Sequence, residues 1–262
     1  MRNLKPFLFI VLIFTSCEYQ ESNNQPTKTE SFSEKITIAT AANMQFAMKE
    51  LSSVFTEKTG IKCNLVISSS GKLTAQIKEG APYDVFVAAN MKYPLEIYNS
   101  KLAENKPKIY AYGKLVLWSV IDGAVPSLDL LNNISVNHIA LANPKTAPYG
   151  KAATEALNSY HLYPLLENKL VFGESVSQTN QFILSKSVEI GFTSMSTVLS
   201  PNMKNKGQWV DIPSSTYTPI EQGVIVIKHN NQAKLAAKEF YTFLFSNEAK
   251  KILTNFGYSV NE

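Results

Sequence analysis

Arginine is nearly missing from this chain. Of 262 residues and 25 basic side chains, Arg2 is the sole arginine. Bidentate guanidinium capture, the commonest charged solution for holding phosphate or carboxylate, is therefore excluded beyond the second residue. The 21 acidic residues leave a formal charge of +4, and without Arg2 and Lys5 the balance is 23 basic against 21 acidic, or +2. So small an excess gives nucleic-acid binding no support. Cysteine is almost as scarce. Cys17 and Cys63 are the two present, and no disulfide is expected; Cys63, beside Leu65, reads as a small buried hydrophobe. His138, His161 and His229 are scattered without H-x-x-x-H or H-E-x-x-H spacing, so no metal site of cysteine and histidine is expected. Nor is there an apolar run of the roughly 20 residues needed to span a bilayer.

What stands at the start is shorter. Arg2 and Lys5 precede the apolar run Phe7 to Phe14, and Thr15-Ser16-Cys17 follows. A basic start, a short apolar core and small residues before a cysteine read as an export signal. The cysteine makes residues 1–16 resemble a bacterial lipoprotein signal, which implies cleavage before Cys17 and lipidation of its thiol. Residues 17–33 are polar, with only Tyr19 and Phe32 as large apolar side chains, and are expected to form a flexible tether. Folded structure is expected from Glu34 onward. Those roughly 230 residues exceed a typical single domain, so one large domain or two lobes is expected.

The most informative stretch runs from Ser68-Ser69-Ser70-Gly71-Lys72-Leu73 to Ala81-Pro82-Tyr83-Asp84-Val85-Phe86. Leu65, Val66 and Ile67 are of strand type, the serines suit a helix N-cap, and Leu73 with Ile77 forms an i, i+4 apolar pair. The spacing predicts strand, polar turn, helix, turn, strand, with free N–H groups collecting at Ser69, Ser70 and Gly71. A helix start of this kind holds an anion without a cationic side chain. Two catalytic readings fail on detail. A P-loop needs glycine where Val66 stands and Ser or Thr where Leu73 stands. A serine acylase built on Ser69 and Lys72 needs its K-T-G far downstream, whereas Lys58-Thr59-Gly60 lies upstream. Asp84, the nearest carboxylate, reads as structural, because its charge would repel a bound anion.

Similar junctions recur along the chain. Ile36 to Thr40 leads through Asn43, the expected N-cap, into a helix with apolar Met44, Ala47, Met48, Leu51 and Phe55. Ile139 to Ala142 leads through Asn143-Pro144 and Ala147-Pro148-Tyr149-Gly150 into a helix reaching Tyr160. Leu170 to Phe172 leads through Gly173-Glu174-Ser175-Val176-Ser177, with Ser175 the expected N-cap, into a helix ending at Leu184. Ile190 to Thr193 leads into Ser194-Met195-Ser196. Each could be an ordinary cap. Their joint placement at strand C-terminal ends is where open α/β sheets bind ligands.

These motifs, with Ala152-Ala153 and Gln178, occur in the order and spacing of the periplasmic molybdate-binding proteins of ABC importers, which the chain resembles from roughly Lys35 to Tyr258. The resemblance implies an α/β, two-lobed periplasmic-binding-protein fold of type II with the ligand in the inter-lobe cleft. It places the first lobe in residues 34–117 and 224–262 and the second in 118–223, with Leu115 to Ser119 and Gly223 to Ile227 as hinge strands. It implies a tetrahedral oxyanion held by neutral donors: backbone N–H groups of Asn43, Tyr149 and Val176, and a hydroxyl from Ser69 or Ser70. Where some members carry a tyrosine hydroxyl, this chain has Ser194. The implied function is capture of molybdate or tungstate and delivery to an ABC importer permease, by a monomer with no cofactor, anchored through Cys17 on the outer face of a membrane and performing no catalysis. Receptors for sulfate, phosphate or iron, and the exported acylase, are the alternatives.

Overall fold

The computed structural model describes residues 35–228 and 233–260. The expected signal, tether and Cys17 lie outside the described residues, as does His229. In chain order the elements are β1 (Lys35–Ala41), α1 (Gln45–Thr59), β2 (Lys62–Ser68), α2 (Ser70–Lys78), β3 (Val85–Val87), α3 (Lys92–Asn99), β4 (Lys108–Gly113), β5 (Leu115–Ser119), β6 (Ile139–Ala142), α4 (Pro148–Ser159), α5 (Tyr163–Leu166), β7 (Leu170–Gly173), α6 (Val176–Leu184), β8 (Ile190–Ser194), α7 (Met195–Val198), β9 (Gln208–Asp211), β10 (Ile220–Val226), α8 (Lys234–Phe243) and α9 (Asn247–Asn255).

The strands form two five-stranded sheets, ordered β2-β1-β3-β10-β4 and β7-β6-β8-β5-β9. In each, three strands are parallel and linked by helices. The remaining two, β10 and β4 in the first and β5 and β9 in the second, bring antiparallel pairings. Side chains alternate across a strand, so a sheet covered on both faces needs apolar residues at successive positions. In β1, Ile36 and Ile38 enter the core shared with α1, α8 and α9, while Ala39 enters the core under α2 and α3. In β5, Leu115 and Leu117 pack toward α4, and Val116 and Trp118 toward α6 and α7. The 3.6-residue period read for α1 holds: Met44, Ala47, Met48, Leu51 and Phe55 are all buried. Gly60 ends the helix in a left-handed conformation with φ of 77°, its N–H donating to the Thr56 carbonyl.

Two sequence expectations are corrected by strand pairing. Leu115 to Leu117, assigned to the first lobe, pair with β8 and β9 of the second sheet. Ile220 to Gly223, assigned to the second lobe, pair with β4 of the first. Neither expected hinge run crosses between sheets. The crossings are Lys114, the single residue between β4 and β5, and the segment 212–219 between β9 and β10. Apolar runs mark buried strands but carry no sign of which sheet buries them. Elsewhere, the Asp84 carboxylate accepts the Thr37 N–H at 2.7 Å, splinting the start of the first sheet. Cys63 is half-buried against the first core, where burial pushes its thiol pKa up.

Candidate functional site: a cavity walled by helix starts

Asn43, Ser69, Ser70, Tyr149 and Val176 line one small cavity, about 10 Å³, together with Ala41, Ala42, Ala89, Ala147 and Pro148. Each contribution follows from a strand-to-helix junction. Ser69 and Ser70 stand where β2 becomes α2, Tyr149 is the second residue of α4 after Pro148, and Val176 opens α6. The first N–H groups of a helix have no carbonyl one turn back, so the four junctions aim backbone donors and the positive ends of their dipoles at one place. No ionisable side chain lines the cavity except Tyr149. Burial, aided by neighbouring tyrosines, holds its pKa well above the usual range and keeps it neutral.

Capping differs among the junctions. Ser175 caps α6 as expected, its hydroxyl oxygen accepting the Gln178 N–H at 3.4 Å. Asn43 does not cap α1. It lies within a short 3-10 turn, Ala42–Met44, and its side-chain amide turns inward, donating to Gln222 Oε1 at 2.9 Å and to Tyr258 Oη at 2.9 Å. The buried network holds both amide hydrogens and so fixes the direction of the side chain, which sets aside the local cap its oxygen would have made. Gly71 also departs from expectation. Its N–H is not free but donates to the Thr146 carbonyl at 2.9 Å.

The two serines have different roles. Ser70 Oγ accepts the Ala89 N–H at 3.0 Å, stitching α2 to the end of β3. Ser69 Oγ is buried and has no hydrogen-bond partner. It is the one such side-chain atom among the described residues that lines the cavity. A buried hydroxyl left unpaired costs about 1–3 kcal/mol, so an acceptor is called for at this point. Ser194, by contrast, is fully buried and engaged with Ser196 Oγ at 3.0 Å and Thr197 Oγ1 at 2.9 Å. Lys72 Nζ pairs with Glu174 and not with a serine hydroxyl.

The cavity is closed by bonds running from the first sheet's helices to the second's. Besides Gly71 to Thr146, Tyr93 Oη donates to the Lys145 carbonyl at 3.2 Å, Ser177 Oγ donates to Gln45 Oε1 at 2.8 Å, and Lys72 pairs with Glu174. At about 10 Å³ the space matches a single water. A four-oxygen anion enters only if these bonds open and the walls settle around it.

Larger hollows of about 440 and 450 Å³ lie elsewhere. The first is lined by Asp129 and Asp211, whose charge disfavours anions; the second is lined by the exposed Lys204 and Lys206, at the C-terminal end of α7, with no helix start among its lining residues. Sequence reasoning missed Gln222 and Tyr258, the groups behind the cavity wall. Their signal was faint: a glutamine in the apolar strand Ile220–Val226 and a tyrosine near the C-terminus.

Two sheets, each flanked by helices, with a small cavity walled by strand-to-helix junctions of both, form the arrangement expected of a solute-binding protein. The chain belongs to the family of bacterial extracellular solute-binding proteins, whose model matches residues 36–259. It is 35% identical over 225 residues to the molybdate-binding protein ModA of Rhodobacter capsulatus, covering 86% of this chain and 88% of that one. It is 27% identical over 241 residues to a putative ABC transporter substrate-binding lipoprotein, YvgL, of Bacillus subtilis, covering 91% of each. Its structure is similar to that of the periplasmic molybdate-binding protein of Azotobacter vinelandii, with a TM-score of 0.82 at 32% identity, covering 87% of this chain and all of that one. The fold is thus the two-lobed α/β arrangement of periplasmic binding proteins, and the family's function is solute binding, not catalysis.

Proposed function

We propose that this protein captures molybdate, and tungstate with it, in the cavity between its two sheets and delivers it to the permease of an ABC importer. The observation that carries this reading is the unpartnered, buried Ser69 hydroxyl in a cavity walled by helix starts and free of charged side chains. In this reading Ser69 Oγ donates to one ligand oxygen, and backbone N–H groups of Asn43, Ser70, Tyr149 and Val176 meet the others. A fully ionised dianion suits an all-donor wall, whereas phosphate would ask for an acceptor for its remaining proton. Relatives named for molybdate binding support the choice of ion. The lobes are residues 35–113 with 220–228 and 233–260, and residues 115–211, and the protein acts as a monomer without enzymatic activity.

Calorimetric titration with molybdate, tungstate, sulfate and phosphate tests the reading. Binding of the first two at least about a hundredfold tighter than sulfate, a difference of about 2.7 kcal/mol, is the expected result, and equal affinity for sulfate overturns it. The relative YvgL, named a lipoprotein, supports an anchor at Cys17 on the extracytoplasmic face. A Cys17→Ser variant of the full chain is expected to lose detergent partitioning, and unchanged partitioning would rule the anchor out.

A further inference from the structure

Behind the cavity wall one side chain touches both halves of the site. Gln222 is fully buried in β10, next to the bulge at Gln222/Gly223 where the chain has just re-entered the first sheet. Its Oε1 accepts from Asn43 Nδ2 at 2.9 Å and from Tyr110 Oη at 3.0 Å, and its Nε2 donates to Tyr149 Oη at 3.4 Å. Asn43 and Tyr149 both line the cavity, one following a strand of the first sheet and one a strand of the second. Asn43 is held on its other side by Tyr258, whose hydroxyl donates to the Asn43 carbonyl at 3.1 Å, and by Ser196 Oγ, which donates to the same carbonyl at 2.6 Å. The crossover backbone closes around the pair: a Cβ at Gly113 would sit 2.1 Å from Tyr149 Oη and 2.6 Å from Gln222 Nε2. The amide presents an acceptor to Asn43 and a donor to Tyr149 from one planar group.

We infer that Gln222, which does not line the cavity, is a positioning residue that sets the spacing between the Asn43 and Tyr149 walls and thereby the size of oxyanion the site prefers. The inference rests on the oxyanion reading above. Rigid opposing donors discriminate by size because a smaller anion cannot reach both walls at once. If the amide tie is lost, the walls can follow a smaller anion inward.

The test is the ratio of sulfate to molybdate dissociation constants, measured by calorimetry on the whole protein, with thermal unfolding of the unliganded state alongside. Gln222→Met and Tyr149→Phe each cut the tie from one end and are expected to lower the ratio at least about fivefold. Tyr110→Phe removes a bond to the same Oε1 that leads to neither wall. It is expected to lower the melting temperature and leave the ratio alone, which a merely structural role for Gln222 would also do. An unchanged ratio in folded Gln222→Met and Tyr149→Phe overturns the inference; should Gln222→Met not fold, Tyr149→Phe decides alone. A wild-type protein binding neither anion would overturn the ligand reading and this inference with it. Normal wild-type selectivity retained by the variants would overturn this inference alone.

Discussion

Lys72 Nζ lies 2.5 Å from Glu174 Oε1, joining the first turn of α2 to the residue two before α6. Both side chains are about half exposed, at 51% and 54%. An exposed ion pair contributes about 0–1 kcal/mol and weakens as salt is added. Lys72→Ala is therefore expected to reduce oxyanion affinity by less than about fivefold at low salt and by less still at high salt. Calorimetry at two ionic strengths checks this. Complete loss of binding with the circular dichroism unchanged would show that a cation holds the ligand.

Gly71 is the more demanding neighbour. A Cβ there would lie 2.9 Å from Tyr93 Oη and 3.0 Å from the Thr146 carbonyl oxygen, the two groups that bridge the sheets beside it. Alanine favours the helix itself by up to about 1 kcal/mol. The contact with the Thr146 backbone in the closed form outweighs that gain, so Gly71→Ala should lower the unliganded melting temperature and weaken binding about tenfold or more. Unaltered affinity would mean that closure does not bring α2 and the Thr146 loop together.

Ser69→Ala and Ser70→Ala are expected to move stability in opposite directions. The first removes an unpaired buried hydroxyl and should stabilise the unliganded protein or leave it unchanged, while lowering affinity about tenfold to a hundredfold. The second strands the Ala89 N–H and should destabilise by about 1–3 kcal/mol. Thermal melts with and without molybdate separate the two. Loss of stability in Ser69→Ala would show that its hydroxyl is already satisfied.

The buried tyrosines set the alkaline limit. Desolvation pushes the Tyr258 pKa from 10.0 up to about 12, and Tyr110 and Tyr149 are raised as well. Below about pH 10 both folded and unfolded forms are protonated and the stability is fully present. Between about pH 10 and 12 the unfolded chain releases a proton that the folded chain keeps, so stability falls as pH rises. Tyr258 alone accounts for on the order of 2–3 kcal/mol of that loss. Denaturant melts across this range should show the decline, and Tyr258→Phe should lessen it while Tyr110 and Tyr149 still contribute. Oxyanion affinity is expected to stay level from about pH 6 to about pH 9, because no side chain lining the cavity titrates there.

Helices and strands were legible because their signals are local: the period of α1, the strand-to-helix turn at Ser68 to Lys72, and Pro148 at the start of α4 all stand in the sequence as they do in the structure. Ser175 was legible for the same reason, since a cap is settled within three residues. Asn43 was not, because its amide answers to Gln222 and Tyr258, 179 and 215 residues away. The same long separation hid the use of the Gly71 N–H by Thr146, and the strand register that moves Leu115 and Ile220 to the other sheet. Which of two adjacent serines keeps its hydroxyl free depends on Ala89, a residue with no side-chain signal at all.

The single-residue passage at Lys114 and the return at β10 leave the two sheets unequal in time. Every strand of the second sheet lies between Leu115 and Asp211, in one unbroken length of chain. The first sheet waits for Ile220–Val226, because β10 lies between β3 and β4 and, among the described residues, is the strand with which β4 pairs. As the polypeptide emerges from its N-terminus, the half begun first is thus the half finished last. Until then β4 has an unsatisfied edge and the apolar faces that α8 and α9 later cover stand open, the condition under which a newly exported chain most needs protection from its neighbours.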